Sequence, residues 1–173
     1  MIIEKTFRQK CDLAIRQTLP FLTAFIAALL MATQTHVPRL NSMMPMLTLG
    51  VVFFWSVHRP QLFGMGSAFV IGLVQDLITG VPLGLGTLIL LLTRAGVTSQ
   101  ARLFLGRPLV VHWWGFILLA LVAALLSWVL AALILGVIAP IGQILMSALL
   151  GVVVFPVIYG ICSMFERLLV DEP

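Results

Sequence analysis

Residues 69–84 read FVIGLVQDLITGVPLG and place one carboxylate, Asp76, inside an otherwise apolar run. A carboxylate in a membrane-embedded run is costly, so it must pair within a helix bundle, line a polar cavity or contact a partner. Gly72 and Gly80 lie four residues to either side of this aspartate. We therefore expect function to be concentrated at Asp76 and at the glycines around it.

The composition of the whole chain predicts a membrane protein. Mean hydropathy is +1.17, 61% of the residues are hydrophobic and only 9% are charged, whereas a soluble domain carries about 25% charged residues. At about 20 residues per span, this length allows about five to seven helices and leaves no separate soluble domain. Segments 88–92 and 116–126 do not alternate polar and apolar residues as barrel strands do. The predicted fold class is an all-α polytopic membrane protein.

Turn residues divide the chain into about six predicted transmembrane helices. The predicted spans are Leu19–Thr35, Met43–Val57, Phe63–Thr79, Leu83–Val97, Trp113–Val137 and Ile141–Phe165. Residues 18–166 are predicted to form one transmembrane domain, preceded by a cytoplasmic segment, 1–17, that is either an amphipathic helix or a partly ordered tail. Residues 167–173 form a short cytoplasmic tail. The first apolar run is interpreted as an uncleaved helix rather than a signal peptide, because further spans follow it.

The positive charges orient these spans. With both termini in the cytoplasm, nine of the ten lysines and arginines lie on the cytoplasmic side and only Arg39 lies on the other, as the positive-inside rule requires. Five spans remain an alternative, because removing one span changes this charge count little. Arg94 is expected to extend to the inner interface, and Trp55, Trp113 and Trp114 are predicted in the interfacial belts. The net charge of +4 thus reflects topology and predicts no nucleic-acid partner.

Small residues recur every four positions along the third span. Gly64, Ala68, Gly72, Asp76 and Gly80 form one ridge of an α-helix. Small side chains on such a ridge let a neighbouring helix approach closely. The spacing therefore predicts that Asp76 faces a neighbouring helix or a cavity rather than lipid.

Three roles are open for Asp76. Its carboxylate can accept hydrogen bonds from backbone N–H groups of the 80–84 turn or of the start of the fourth helix, where negative charge is favoured. It can contact the transmembrane helix of a partner protein. It can also relay protons or cations in a transporter, although a relay needs a chain of acidic or histidine groups and Asp76 is the only acidic residue within a predicted span.

No catalytic or metal-binding motif occurs in the sequence. It contains no P-loop, HExxH, GxSxG or Cys/His cluster. His36, His58 and His112 lie at predicted helix ends and do not share a helical face, so no metal site is predicted. Cys11 and Cys162 are expected to be reduced thiols. We therefore predict no catalytic residue, no bound metal and no cofactor.

The order of features between residues 45 and 84 resembles the rod shape-determining protein MreD family. A proline-bearing second helix ends in an aromatic residue and a basic-proline turn, an aromatic-x-x-Gly helix leads to Asp-Leu-x-x-Gly, and Leu-Gly opens the next helix. Residues 154–156, Val-Phe-Pro, resemble the C-terminal proline element of the family. The positions proposed as family motif and as helix-packing or partner interface are Pro45, Pro60, Gly64, Ala68, Gly72, Asp76, Gly80, Pro82 and Gly84.

The resemblance implies a role in the bacterial elongation machinery. Proteins similar to MreD are non-enzymatic components of the inner membrane that act with MreC and MreB, alongside RodA and the elongation class B penicillin-binding transpeptidase. They support rod shape and lateral peptidoglycan synthesis. The resemblance also implies a fold similar to the substrate-binding subunits of energy-coupling-factor transporters, and membrane lipids as further partners.

Transport is the competing function class. The chain can instead be a vitamin-binding subunit or a small permease, but a vitamin site needs several convergent polar groups inside the bundle. The candidates for such a site are few: Asn41, Gln75, Asp76, Gln143 and Tyr159. A membrane-bound transferase is disfavoured because the sequence offers no acid–base pair.

Overall fold

The computed structural model describes residues 7–30, 44–104, 106–136 and 141–170, and the regular structure within these ranges is entirely helical. The helices are α1 (Phe7–Leu30), α2 (Met44–His58), α3 (Met65–Thr79), α4 (Leu85–Ser99), the single turn α5 (Ala101–Phe104), α6 (Leu109–Leu135) and α7 (Ile141–Val170). The predicted all-α class is confirmed for this part of the chain.

The helix bounds agree best with prediction in the middle of the chain. Helices α2, α3 and α4 begin and end within two residues of the predicted spans. Helix α1 differs, because it begins at Phe7 and runs without a break through the predicted domain boundary between residues 17 and 18. The predicted end of that span at Thr35 lies outside the described residues. Helix α6 begins four residues before Trp113, and α7 continues five residues beyond Phe165.

Two helical segments are long and apolar enough to cross a membrane, namely Leu109–Ile134 and Ile144–Arg167. Four shorter apolar helical segments accompany them: Thr18–Leu30, Met46–His58, Met65–Thr79 and Leu85–Ser99. Large hydrophobic side chains are exposed along α6 and α7, and in water such a continuous apolar surface is rare. The helices therefore have the surface of a membrane protein, while the number of six spans remains a prediction.

Helix α2 lies at the centre of the bundle. It packs against α1, α4 and α7, and the consecutive side chains of residues 52–55 are all buried. A helix that is apolar on every side is surrounded either by other helices or by lipid, and the burial of these side chains shows that α2 is surrounded by other helices. Trp55 is fully buried, and its indole Nε1 donates a hydrogen bond of 2.9 Å to Thr23 Oγ1 of α1. Trp55 therefore contacts neighbouring helices rather than lipid headgroups, because α2 is enclosed by the bundle, whereas Trp113 and Trp114 are exposed.

A proline and a tryptophan join α6 to α7. Pro156 lies inside α7 and has no N–H group, so the carbonyl of Val152 loses the donor that a helix supplies from four residues ahead. Trp113 of α6 donates its indole N–H to that carbonyl oxygen at 3.0 Å. The contact between the two helices therefore satisfies a backbone group that the proline leaves free.

Candidate functional site

The carboxylate of Asp76 binds the first turn of α4. Oδ2 accepts hydrogen bonds from Gly84 N at 2.9 Å, Thr87 N at 3.1 Å and Thr87 Oγ1 at 2.9 Å. Oδ1 accepts one from Gly86 N at 2.9 Å. Asp76 is only 1% exposed. The last turn of one helix thus supplies the N-terminal cap of the next.

The turn between α3 and α4 produces this geometry. Helix α3 ends at Gly80, whose φ of +67° is in the left-handed region that glycine favours and whose N–H bonds the carbonyl of Asp76. Leu85 N donates to Pro82 O at 3.2 Å, which reverses the chain. Gly84 precedes α4 with φ +100° and has no side chain that can cap the helix. Asp76 therefore satisfies amides that would otherwise lack partners.

Close packing between α3 and α4 depends on two glycines. A Cβ atom at Gly72 would lie 2.5 Å from Thr87 Cα, and a Cβ atom at Gly86 would overlap Asp76 Oδ1. Ala68, on the same ridge as Gly72, is fully buried. The middle of the predicted ridge is therefore packed inside the protein.

The ends of that ridge are less enclosed. Gly64, which precedes α3, is half-buried and Gly80, which follows it, is exposed. Only these two members of the ridge therefore reach the surface that a partner protein can contact.

These contacts match the capping interpretation of Asp76. A partner helix can reach this carboxylate only at the surface of the protein, and Asp76 is buried against its own chain. Its four hydrogen bonds come from backbone amides and one hydroxyl. Within the described ranges, neither histidine nor a second carboxylate bonds to it, so these residues offer no proton-relay chain.

A second charged residue holds α4 near its other end. Arg94 donates from Nε to Phe63 O at 2.7 Å and from Nη2 to Pro60 O at 3.1 Å. Both carbonyls belong to the connection between α2 and α3. The motif residues Pro60 and Asp76 thus lie at opposite ends of α3, and each is bonded to α4. Pro45 lies in the first turn of α2, and its side chain is outside the described part of the structure.

Sequence reasoning proposed backbone amides of the 80–84 turn or of the start of the fourth helix as partners of Asp76, but it did not identify Gly86 and Thr87, and it missed the partners of Arg94. Thr87 gives only a weak signal, a hydroxyl in an apolar helix, and Gly86 gives none. Arg94 was expected at the membrane interface because it lies near a helix end. The bonds that it makes to loop carbonyls depend on how α3 and α4 are paired, which local patterns do not record.

A cavity of about 400 Å³ adjoins the Asp76 cap. Residues of α2, α3, α4, α6 and α7 line it, and most of them are apolar. Of the polar groups considered for a transport site, Gln75 and Asp76 line the cavity. Tyr159 contacts His58 instead. Asn41 lies outside the described residues, and the side chain of Gln143 is not described.

Two histidines meet where α2 ends and α6 begins. The rings of His58 and His112 stack with centroids 5.2 Å apart, and Tyr159 OH lies 3.4 Å from His58 Nε2. His58 and His112 do not share a helical face, but the packing of α2 against α6 brings them together. The described residues contain no group of three or more histidine, cysteine or acidic side chains that can hold a metal ion. His36 lies outside the described residues.

Comparison with known proteins gives one result that covers the site. A family model described as the rod shape-determining protein MreD matches residues 14–165, most of the chain. Comparisons with curated proteins and with solved structures give no match. The matched residues include α2 to α6, the Asp76 cap and the cavity. The chain therefore belongs to the rod shape-determining protein MreD family.

Proposed function

We propose that this protein is a non-enzymatic scaffold of the bacterial cell-elongation complex, embedded in the inner membrane by six spans with both termini in the cytoplasm. The observation that carries the proposal is the family match over residues 14–165, because the family determines rod shape. The proposed partners are MreC and, with it, MreB, RodA and the elongation transpeptidase.

The chemistry of the Asp76 site supports a structural role. A general acid or base needs a proton position that is free to exchange with a substrate, whereas both carboxylate oxygens of Asp76 accept hydrogen bonds from α4. The most conspicuous charge inside the apolar bundle thus serves to hold two helices together.

The bundle is suited to presenting a rigid apolar surface to another transmembrane helix. Association inside a lipid bilayer depends on van der Waals packing and interhelical hydrogen bonds. A surface that is ordered before binding loses less conformational entropy when the partner docks. The α3–α4 pair, joined at one end by Asp76 and at the other by Arg94, supplies that order. In the proposed mechanism, Asp76 and Gly72 shape the surface without touching the partner.

Copurification of MreC from the native host tests this mechanism. Gly72→Leu places a side chain against the backbone of Thr87, whereas Gly66→Leu, in the same helix, enters open space. We expect Gly72→Leu to reduce recovery of MreC at least tenfold, with Gly66→Leu close to wild type. Equal recovery of MreC with wild type, Gly72→Leu and Gly66→Leu at matched expression would contradict the proposed role of the α3–α4 pair.

Depletion of the protein with imaging of cell shape tests the function itself. We expect rods to round and swell over a few generations, and the intact gene to restore them. An Asp76→Ala protein that is still present in the membrane should not restore them. Normal rods under full depletion would contradict the elongation role and favour the transport class, for which uptake of a ligand is the next assay.

A further inference from the structure

The cavity beside Asp76 has the form of a ligand site. Its volume of about 400 Å³ is within the usual range of small-molecule pockets, roughly 300–1,000 Å³. Five helices contribute to its walls, which include Leu49, Leu85, Ile89 and Ile144. The Asp76 cap is complete without this space, so the scaffold role leaves the cavity unexplained.

The polar groups of the cavity offer hydrogen-bond acceptors. Thr79, Ser127 and Ser147 line it, and each hydroxyl already donates its single proton to a backbone carbonyl of its own helix, at 2.8, 2.7 and 2.7 Å respectively. A hydroxyl that has donated its proton retains lone pairs and can only accept further bonds. A ligand that bonds these groups must therefore carry donors.

Gln75 supplies a second, independent indication. It lines the cavity and is 6% exposed. Its Oε1 atom is buried and has no hydrogen-bond partner within the described part of the chain. Buried carbonyl oxygens without a partner are rare in native proteins, so each one needs an explanation. Because Gln75 lines the cavity, rotation of its side-chain amide would bring this oxygen to a donor group on a bound molecule.

The charge of the lining restricts the class of ligand. Asp76 is the one charged residue among the lining residues, all of which the structure describes, and no lysine or arginine joins it. An anionic headgroup such as a phosphate would lack a counter-charge and would lie near a carboxylate. The ligand is therefore expected to be uncharged, with an apolar body and at least one donor.

We propose that this cavity binds a neutral lipid-like amphiphile, an aliphatic chain that carries a hydroxyl group. The hydroxyl donates to Gln75, and the chain contacts the leucine and isoleucine walls. Exposed Thr79 and Val81, in and just after the last turn of α3, form the rim. The protein would then bind a bilayer component in addition to its proposed scaffold role.

Thermal unfolding of the protein in detergent tests the proposal with three probes that carry the same oleoyl chain. They are monooleoylglycerol, methyl oleate, which lacks a donor, and oleate, which is an anion. At equal mole fraction we expect monooleoylglycerol to raise the Tm by about 5 °C, because a ligand that binds only the folded state stabilises it. The other two should change it little.

The remaining outcomes of the probe comparison contradict the proposal. Equal shifts with all three probes would assign the effect to the micelle. A larger shift with oleate or with methyl oleate would overturn the inferred headgroup. Free glycerol at matched concentration carries hydroxyl groups without an aliphatic chain. If glycerol raised the Tm as much as monooleoylglycerol does, the inferred requirement for an aliphatic chain would be overturned.

Matched variants locate the effect in the cavity. Gln75→Leu removes the unpaired oxygen without leaving a new one, so the ligand-free protein should fold normally. Ser147→Ala removes a lining acceptor, and Ser163→Ala removes a hydroxyl with the same local bond, to Gly160 O at 2.8 Å, on an exposed surface outside the cavity.

We expect the shift caused by monooleoylglycerol to vanish in Gln75→Leu, to fall in Ser147→Ala and to persist in Ser163→Ala. An undiminished shift in both cavity variants would overturn the site. If Gln75→Leu cannot be purified, Ser147→Ala and Ala131→Leu, which narrows the cavity, decide the question in the same assay.

Discussion

Helix α4 is held at its two ends by charges of opposite sign, and in both contacts most of the partners are backbone groups. At its start, Asp76 of α3 accepts bonds from the amide of Gly84, which precedes α4, and from two amides and one hydroxyl of α4. Near its end, Arg94 donates to the carbonyls of Pro60 and Phe63. The short side chain of Asp76 binds amides at the start of a helix, and the long side chain of Arg94 binds carbonyls of a loop.

The two contacts differ in how strictly they define geometry. Asp76 is buried and its partners are amides whose spacing is set by the helix, so the register of α3 against α4 is defined there. Arg94 is half-buried, has several rotatable bonds and bonds a connection that can adjust. A buried charge in this bundle is thus stabilised by oriented backbone dipoles, and the more rigid end of α4 is the one that contains the motif.

The largest expected effect is that of Asp76→Ala. The change removes the acceptor of three amides, of which those of Gly86 and Thr87 belong to partly or fully buried residues of α4 and that of Gly84 to an exposed residue before it. Unsatisfied buried donors cost about 1–3 kcal/mol each, so we expect a loss of about 3 kcal/mol in the free energy of unfolding. Denaturation of the purified protein in mixed micelles measures it. Asp76→Asn retains one carbonyl oxygen and should lose less. A loss below about 0.5 kcal/mol for Asp76→Ala would contradict the inference that the Asp76 contact is the stricter of the two.

The next largest effect is expected for Gly72→Ala. The added methyl group would lie 2.5 Å from Thr87 Cα, and overpacking of this kind costs about 1–3 kcal/mol. Gly66→Ala is the matched control in the same helix, because nothing lies within 4 Å of its added Cβ. It should stabilise the protein by up to about 1 kcal/mol through helix propensity. Equal stability of the two variants would show that α3 can move away from α4.

At the other end of α4, Arg94→Ala should destabilise the protein by about 1.5 kcal/mol, since hydrogen bonds to a charged group are worth about 1.5–3 kcal/mol and loop carbonyls can find water. Arg94→Lys keeps the charge but not the two-pronged geometry and should recover about half of the loss. The same unfolding assay measures both variants. A larger loss of stability for Arg94→Ala than for Asp76→Ala would show that the Arg94 contact, and not the Asp76 contact, contributes more to stability.

The smallest effect is expected from the ion pair that joins α2 to α7. Arg59 Nε lies 3.4 Å from Glu166 Oε1, and both side chains are partly exposed. Pairs of this kind contribute about 0–1 kcal/mol and are screened by salt. Glu166→Gln should therefore change stability by about 0.5 kcal/mol at low ionic strength and by less in high salt. A larger effect that salt does not weaken would show that the Arg59–Glu166 contact is as rigid as the contact of Asp76 with α4.

The local parts of the site could be predicted from the sequence. A single carboxylate in an apolar run marks a position that needs partners, and the prolines and glycines around it set the ends of α2, α3 and α4. Backbone amides of the 80–84 turn and of the start of the fourth helix were among the expected partners of Asp76, but the particular residues could not be predicted. Gly86 and Thr87 contact Asp76 because α3 and α4 pair in one particular register, and that register is a property of the packed helices.

The same reason explains two further differences. Trp55 was assigned to the membrane interface because it lies near a span end, but the central position of α2 buries it. His58 and His112 lie 54 residues apart and stack because α2 and α6 meet at this end of the bundle. In both cases the neighbour comes from a distant part of the chain.

The bond between Trp113 and the carbonyl of Val152 has a consequence for how this sequence can diverge. Pro156 creates the free carbonyl, and Trp113 satisfies it. A substitution that removes the proline would restore the normal helical bond to Val152 and release the indole. A substitution that removes the tryptophan first would leave the carbonyl exposed to an apolar environment. The two positions should therefore covary among relatives, with the tryptophan lost only in lineages that have already replaced the proline.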